Sequence, residues 1–392
     1  MTWKHDVADV HLLSALAVAL PLLLAAQSIE EQEWHLDALD VYTAQAQARG
    51  DGVVVAVIDS GVDAKHPDLA GQVLPGAGFG RSKGTDGTTD TDGHGTGMAG
   101  IIAATGRGGG ALGIAPGAKI LPIASADEKE QFGLDVVADS IRWAADHGAK
   151  VVNMSLGFSS SMTPTLVKAV NYAIEKDVVL VAATGNEGKE VSAPANINGV
   201  IAVAGTNKVG KPWASSNVGA DTVLAAPAEG IVTVAPESVY ASGYAEMDGT
   251  SAASAIVTGV AALVRAKHPQ MPAKDVVNAL IKTATDLAEP GRDATTGFGM
   301  VNPMGALTAQ LPAVERNPLL PAPPPSTTQP TPTLAAQRPA QQPVDVKARL
   351  PFVAAVAGGT AVMTGLLIAL PAIRSRRPKP VVSERDTPPT PW

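Results

Sequence analysis

The run Val53-Val-Val-Ala-Val-Ile58 is apolar without a break and ends on Asp59. A strand with one wet face would alternate, and this one does not, so it reads as a parallel strand buried on both faces. Such a sheet needs helices on each side and crossovers long enough to carry them. The pattern recurs. Short apolar runs at 120–124, 151–154, 178–183, 200–204 and 222–226 alternate with helical patterns at 133–147 and 163–176. Strands alternating with helices imply an α/β fold of three layers, a mostly parallel sheet flanked by helices. Functional groups of such folds gather beyond the carboxyl ends of the strands, and right-handed crossovers bring the active loops to that one edge. Asp59 stands there.

A second stretch, Asp248-Gly-Thr-Ser-Ala-Ala-Ser-Ala-Ile-Val-Thr-Gly-Val-Ala-Ala-Leu-Val264, opens on turn-prone residues. Ile256, Val257, Val260, Leu263 and Val264 then recur at helical spacing, which puts Ser251 where a loop enters a buried helix. The unpaired amides and positive end of the dipole favour negative charge at such a point. A serine held there can carry an attacking oxygen while its own N–H faces an oxyanion. An ordinary N-cap serine fits the position too.

His94 opens another tight helix in Gly93-His-Gly-Thr-Gly-Met-Ala-Gly100. The dipole disfavours an imidazolium in the first turn and keeps the ring neutral, as a general base requires. A helix-start histidine without a task is the plainer alternative. Asn186 follows the run at 178–183 in a glycine-flanked loop. Its amide either points at a developing oxyanion or serves a left-handed turn.

Asp59, His94 and Ser251 each end a strand or open a helix, so one sheet edge can collect all three. Gathered there, Ser251 attacks a carbonyl, and His94 takes its proton and later returns it to the leaving amine. Asp59 holds the ring's tautomer and stabilises the imidazolium.

Composition narrows the alternatives. A net charge of −8 leaves no nucleic-acid footprint. The absence of cysteine excludes disulfides, a thiol nucleophile and thiolate metal sites. No Gly-x-Gly-x-x-Gly follows residues 53–58, which removes the dinucleotide-binding reading of an α/β chain, and Gly106-Arg-Gly-Gly-Gly110 lacks the lysine of a P-loop. Asp86, Asp90 and Asp92 offer oxygen ligands but not the spacing of a calcium loop, so calcium is possible without support and no cofactor is expected. His66, His147 and His268 share no ligand spacing and read as surface or capping residues.

Outside the α/β segment the chain changes character. Residues 12–26 form an apolar run broken by Ser14 and Pro21, too short to span a bilayer comfortably but suited to a signal peptide. Ala26-Gln27-Ser28 offers cleavage after Ser28, giving a signal peptide over residues 1–28. Lys4 is offset by Asp6 and Asp9, so an uncleaved anchor or a misplaced start codon remain alternatives. Residues 29–49 make a short arm that packs on the domain at 50–308. A linker over 309–351 follows, with ten prolines between positions 312 and 343. That proline-rich stretch reaches ~100 Å at ~3.1 Å per residue if fully extended. Residues 352–373 are then free of charge for 22 positions, the length of a transmembrane helix, and Arg374, Arg376, Arg377 and Lys379 follow at once. The basic residues assign the tail 374–392 to the cytoplasm and the large domain to the outside of a single-pass membrane protein.

The motifs Val55-Ala-Val-Ile-Asp-Ser-Gly-Val-Asp63, His66-Pro-Asp-Leu69, Gly93-His-Gly-Thr96, Val152-Asn-Met-Ser-Leu-Gly157, Ala183-Thr-Gly-Asn-Glu-Gly188 and Gly249-Thr-Ser251 resemble those of subtilisin-like serine peptidases, in the family's order. The resemblance implies a subtilisin-like fold and hydrolysis of peptide bonds in a protein or peptide substrate. It assigns Asp59, His94 and Ser251 as the triad and Asn186 as oxyanion donor. Ser155, Leu156 and Gly157 would line the cleft and pair with the substrate as an added strand. The arm with Glu33-Trp-His-Leu36, the proline-rich linker and one C-terminal span with a basic tail resemble mycosins, which implies association with type VII secretion machinery. A structural part in a secretion complex, with proteolysis secondary, is the competing expectation. The chain departs from the family's pattern at Ala255, where a proline is usual, at Ala228 in place of glycine, and at Gly97 in place of a larger residue. Mycosins often carry cysteines, and this chain has none.

Overall fold

In the computed structural model, which describes residues 28–125, 133–158, 162–288 and 290–322, the chain opens with three short helices, α1 (Ile29–Gln32), α2 (Trp34–Ala38) and α3 (Val41–Gln45). There follow β1 (Val54–Asp59), β2 (Ala77–Gly78), α4 (His94–Ala103), β3 (Lys119–Ala124), α5 (Leu134–Asp146), β4 (Val151–Met154), α6 (Pro164–Glu175), β5 (Val179–Ala183), β6 (Ile201–Thr206) and β7 (Leu224–Pro227). An antiparallel ribbon, β8 (Ile231–Val234) with β9 (Tyr244–Met247), precedes α7 (Thr250–Lys267), α8 (Ala273–Thr283) and α9 (Pro303–Thr308).

Seven strands form one parallel sheet in the order β2-β3-β1-β4-β5-β6-β7. β1 lies inside it, with Asp59 opposite Ala124 on one side and Ala56 opposite Val152 on the other. Residues 55–58 are fully buried, as their unbroken apolar run requires. After β1 the chain crosses to β2 at the sheet edge, comes back inward through β3, then passes to β4 on the other side of β1 and proceeds outward that way. The strand order therefore switches at β1, and the crevice of such a switch opens beyond the carboxyl ends of β1 and β4.

α7 packs against β4 to β7 and against α4, while α5 and α6 pack on each other. Every residue from Thr250 to Arg265 is buried, so α7 is a core helix rather than an amphipathic one. Its one buried cation is matched: Arg265 Nη2 reaches Asp177 Oδ2 at 2.9 Å and Nη1 donates to the Met271 carbonyl at 2.7 Å. The arm packs on the domain through buried side chains. Leu36, Val41 and Ala44 are fully buried, and Gln45 Nε2 donates to the Gly113 carbonyl at 2.8 Å.

The chain beyond α9 departs from the expected linker boundary. The Val314 N–H donates to Asp275 Oδ1 at 2.7 Å, the buried Asn317 donates from Nδ2 to the Gly199 carbonyl at 3.3 Å, and Leu319 packs on the core. Pro312, Pro318 and Pro321 disguise this stretch as spacer, although three anchors between them, at Val314, Asn317 and Leu319, bind it to the domain. Residues 1–27 and 323–392 lie outside the described residues. With them lie nearly all of the expected signal segment, most of the linker, the apolar span and the basic tail. Among the described residues no helix is long and apolar enough to cross a membrane.

Candidate active site

Asp59 ends β1 and is buried, with Oδ1 2.8 Å from His94 Nδ1. The same oxygen accepts the Ser60 N–H at 2.8 Å. A carboxylate facing Nδ1 sets the proton of the neutral ring there, which leaves Nε2 as the acceptor. His94 is the first residue of α4, and the helix starts unusually close to β1. A Cβ on Gly95 would fall 2.1 Å from the Gly61 carbonyl oxygen, so only glycine allows the approach.

Asp90 ties down the start of that helix. Its Oδ1 accepts the N–H groups of Asp92 and Gly93 at 3.1 and 3.0 Å. Its Oδ2 accepts the Thr96 N–H at 2.9 Å and hydroxyl at 2.6 Å. Asp92 Oδ1 accepts the His94 N–H at 3.0 Å. These side chains also correct the expectation of a ring kept neutral by the helix dipole. Burial disfavours the imidazolium, but the charge and hydrogen bond of Asp59, with the charges of Asp92 and Asp90, outweigh it and push His94 up to about 9.

Ser251 stands in the first turn of α7, 8% exposed. Its preceding residues turn sharply: Gly249 has φ 155°, and a Cβ there would lie 3.3 Å from Asn186 Nδ2. β4 holds this end of the helix. Asn153 Nδ2 donates to Ser155 Oγ at 2.9 Å, Ser155 Oγ donates to the Ser251 carbonyl at 2.9 Å, and Thr258 Oγ1 donates to Asn153 Oδ1 at 3.0 Å. The hydroxyl of Ser155 is thus turned inward onto α7. Asn186 Oδ1 accepts both the N–H and the hydroxyl of Thr250, at 2.9 and 2.8 Å, and Thr250 Oγ1 accepts the Gly185 N–H at 3.1 Å. With its carbonyl side so held, the Asn186 amide is left to face the cleft.

One cleft of about 300 Å³ is lined by Asp59, His94 and Ser251, by Asn186, and by Ser155, Leu156 and Gly157. The residues singled out from the sequence therefore converge. Thr250 and Asn153 were not among them, and Asp90 stood there only as an oxygen ligand rather than as the residue that ties down the start of α4. Thr250 stands beside the nucleophile candidate and Asp90 four residues before His94, so proximity to a motif was the available signal.

The weaker candidates resolve into local roles. His66 Nδ1 accepts the Asp68 N–H at 3.2 Å, His147 bonds the Trp143 carbonyl at 2.8 Å, and His268 bonds that of Leu307 at 3.0 Å. The aspartates of the loop hold backbone and hydroxyl groups close to them in sequence. Asp90 spends both oxygens on its own loop, Asp86 Oδ1 accepts the Thr88 N–H and hydroxyl, and Asp92 holds the His94 amide.

A model of the subtilase family matches residues 50–299. The chain belongs to that family. Fervidolysin of Fervidobacterium pennivorans is 36% identical over 316 residues, 73% of this chain but 45% of fervidolysin. Subtilisin BL of Lederbergia lenta is 38% identical over 254 residues, 64% of this chain and 90% of that protein. Among solved structures, the MycP3 protease from the type VII (ESX-3) secretion system superposes with a TM-score of 0.65 at 32% identity, covering 73% of this chain and 91% of that one. The positions that depart from the family's pattern all lie in packed surroundings. Ala255 and Ala228 are both fully buried, and Gly97 packs under the ribbon, where a Cβ would meet the Thr233 methyl at 3.2 Å.

Proposed function

We propose that the chain is a serine endopeptidase that hydrolyses peptide bonds through an acyl-enzyme, with Asp59, His94 and Ser251 as its triad. The observation that carries this reading is the 2.8 Å Asp59–His94 contact in the cleft that Ser251 and Asn186 also line. Ser251 Oγ attacks the scissile carbonyl and yields its proton to His94 Nε2. The imidazolium that forms lies against Asp59, and the oxyanion meets the Asn186 amide and the first-turn N–H groups of α7. His94 then protonates the leaving amine, which breaks the C–N bond and leaves an ester on Ser251. Water, deprotonated by His94, attacks that ester and releases the acid. No step needs a metal. Leu156 and Gly157 offer a peptide an extended backbone along the cleft wall. Turnover should vanish in Ser251→Ala while the fold, read by circular dichroism, persists; retained turnover would overturn the assignment.

The place of work we infer is the outer face of a membrane, at a type VII export apparatus. The composition of residues 352–379 supports a single span with its tail in the cytoplasm. The likeness to the MycP3 protease supports the secretion role. Protease added to intact protoplasts should release an active domain by cutting among the prolines before position 343, with a tag on the tail protected. A tail digested from outside would reverse the topology.

A further inference from the structure

Trp34 lies half-buried between the arm and the turn that joins β7 to β8. Its indole Nε1–H donates to the carbonyl oxygens of Glu229 and Gly230, at 3.2 and 3.1 Å. The Glu229 carbonyl belongs to the same peptide unit as the Gly230 N–H, and that N–H donates to Asp248 Oδ1 at 2.6 Å. Beside it the Gly249 N–H donates to the Ala228 carbonyl at 2.7 Å. The turn therefore grips both residues that lead into Thr250 and Ser251, and the arm grips the turn. A donor on a peptide carbonyl polarises the amide and strengthens its N–H as a donor in turn. Asp248 is exposed and lines the cleft, so this bond is what keeps its carboxylate out of free rotation there.

We propose that Trp34 is a positioning residue for the reaction: through the Glu229–Gly230 peptide it fixes Asp248 and the loop that presents Ser251. Trp34 packs only partly against the core, and anchoring of the arm is shared with other residues. Leu36, Val41 and Ala44 are fully buried and supply that contact, whereas the Trp34 N–H is spent on the turn. The arm is in this view part of the catalytic apparatus, although it lies outside residues 50–299 that define the family match.

The test is a double-mutant cycle in the full chain, with kcat and KM measured on a chromogenic peptide. Trp34→Phe keeps an aromatic ring and removes the donor, and kcat should fall about five-fold, the worth of one neutral hydrogen bond, with KM within about two-fold. In an Asp248→Ala background the same change should cost nothing further, because the acceptor at the end of the chain is gone. Equal losses in both backgrounds, or a loss in KM alone, would overturn the proposal. A second reading needs neither turnover nor a Trp34 variant. In Ser251→Ala protein labelled with nitrogen-15, the Trp34 indole N–H resonance should move upfield when Asp248→Ala is added, and an unmoved resonance would also overturn it. The inference rests on Ser251 as nucleophile for its catalytic meaning, but this second reading stands apart from that assignment.

Discussion

Thr250 donates twice to one oxygen of Asn186, from its backbone N–H at 2.9 Å and from its hydroxyl at 2.8 Å. The residue before the nucleophile thereby decides which end of the Asn186 amide faces the cleft. An oxyanion donor must be held before charge develops, because reorientation during the reaction would forfeit much of the gain.

Asn186→Ala should therefore lower kcat by about 10²–10³ with little change in KM, a magnitude taken from subtilisin itself rather than derived from this geometry. Thr250→Val, which keeps the shape and loses one of the two bonds, should lower kcat by about ten-fold. Steady-state kinetics on a peptide amide would check both. A change confined to KM would make Asn186 a binding residue.

The elevated His94 gives opposite signs for activity and stability. Only the neutral ring accepts the Ser251 proton, so kcat/KM should rise with pH along a limb well above the ordinary histidine value of 6.5, near 9. Stability runs the other way. With its folded value raised, the contribution of His94 is complete below 6.5 and is lost as pH rises through about 9. Asp92→Asn removes one of the charges responsible and should move the kinetic limb toward lower pH. A limb at or below 6.5 in the unaltered chain would contradict the account.

The walls of the cleft carry a charge preference. Asp92, Glu187 and Asp248 line it beside Asp59, and among the described residues that line it there is no lysine or arginine. Peptides with lysine or arginine flanking the scissile bond should be cut with higher kcat/KM than their glutamate counterparts. The gap should narrow in ~1 M salt, where screening reaches ~3 Å. Equal rates at low salt would show that these carboxylates do not reach the substrate.

Truncation separates the domain from its spacer. A chain ending at Thr308 loses the Val314 and Asn317 bonds and the Leu319 contact, whereas one ending at Ala322 keeps them. The shorter chain should melt several degrees lower, in line with about 1–3 kcal/mol for a lost packed segment. Equal melting temperatures would return the boundary to the end of α9.

Legibility followed burial. β1 and Asp59 were readable because burial on both faces permits no polar residue until the strand ends. His94 and Ser251 were readable because each opens a helix too tightly packed to tolerate anything but small residues nearby. The ribbon of β8 and β9 was missed, since four-residue strands leave too short a pattern to recognise. Asp90 looked like a free oxygen donor because its four hydrogen bonds go to neighbours within six positions, which spacing alone does not reveal. The charge state of His94 was misjudged for the same reason. The helix end is visible in sequence, but the three aspartates that fold around the ring are visible only in space.

The central claim is that Ser251 is the nucleophile and that Asp59 and His94 activate it. Reaction of the purified protein with a fluorophosphonate, followed by peptide mapping, tests it most directly. The account predicts a single adduct on Ser251, formed faster as pH rises through the His94 limb and abolished in His94→Ala. Labelling of another serine in an active preparation, with Ser251 unmodified, would contradict it.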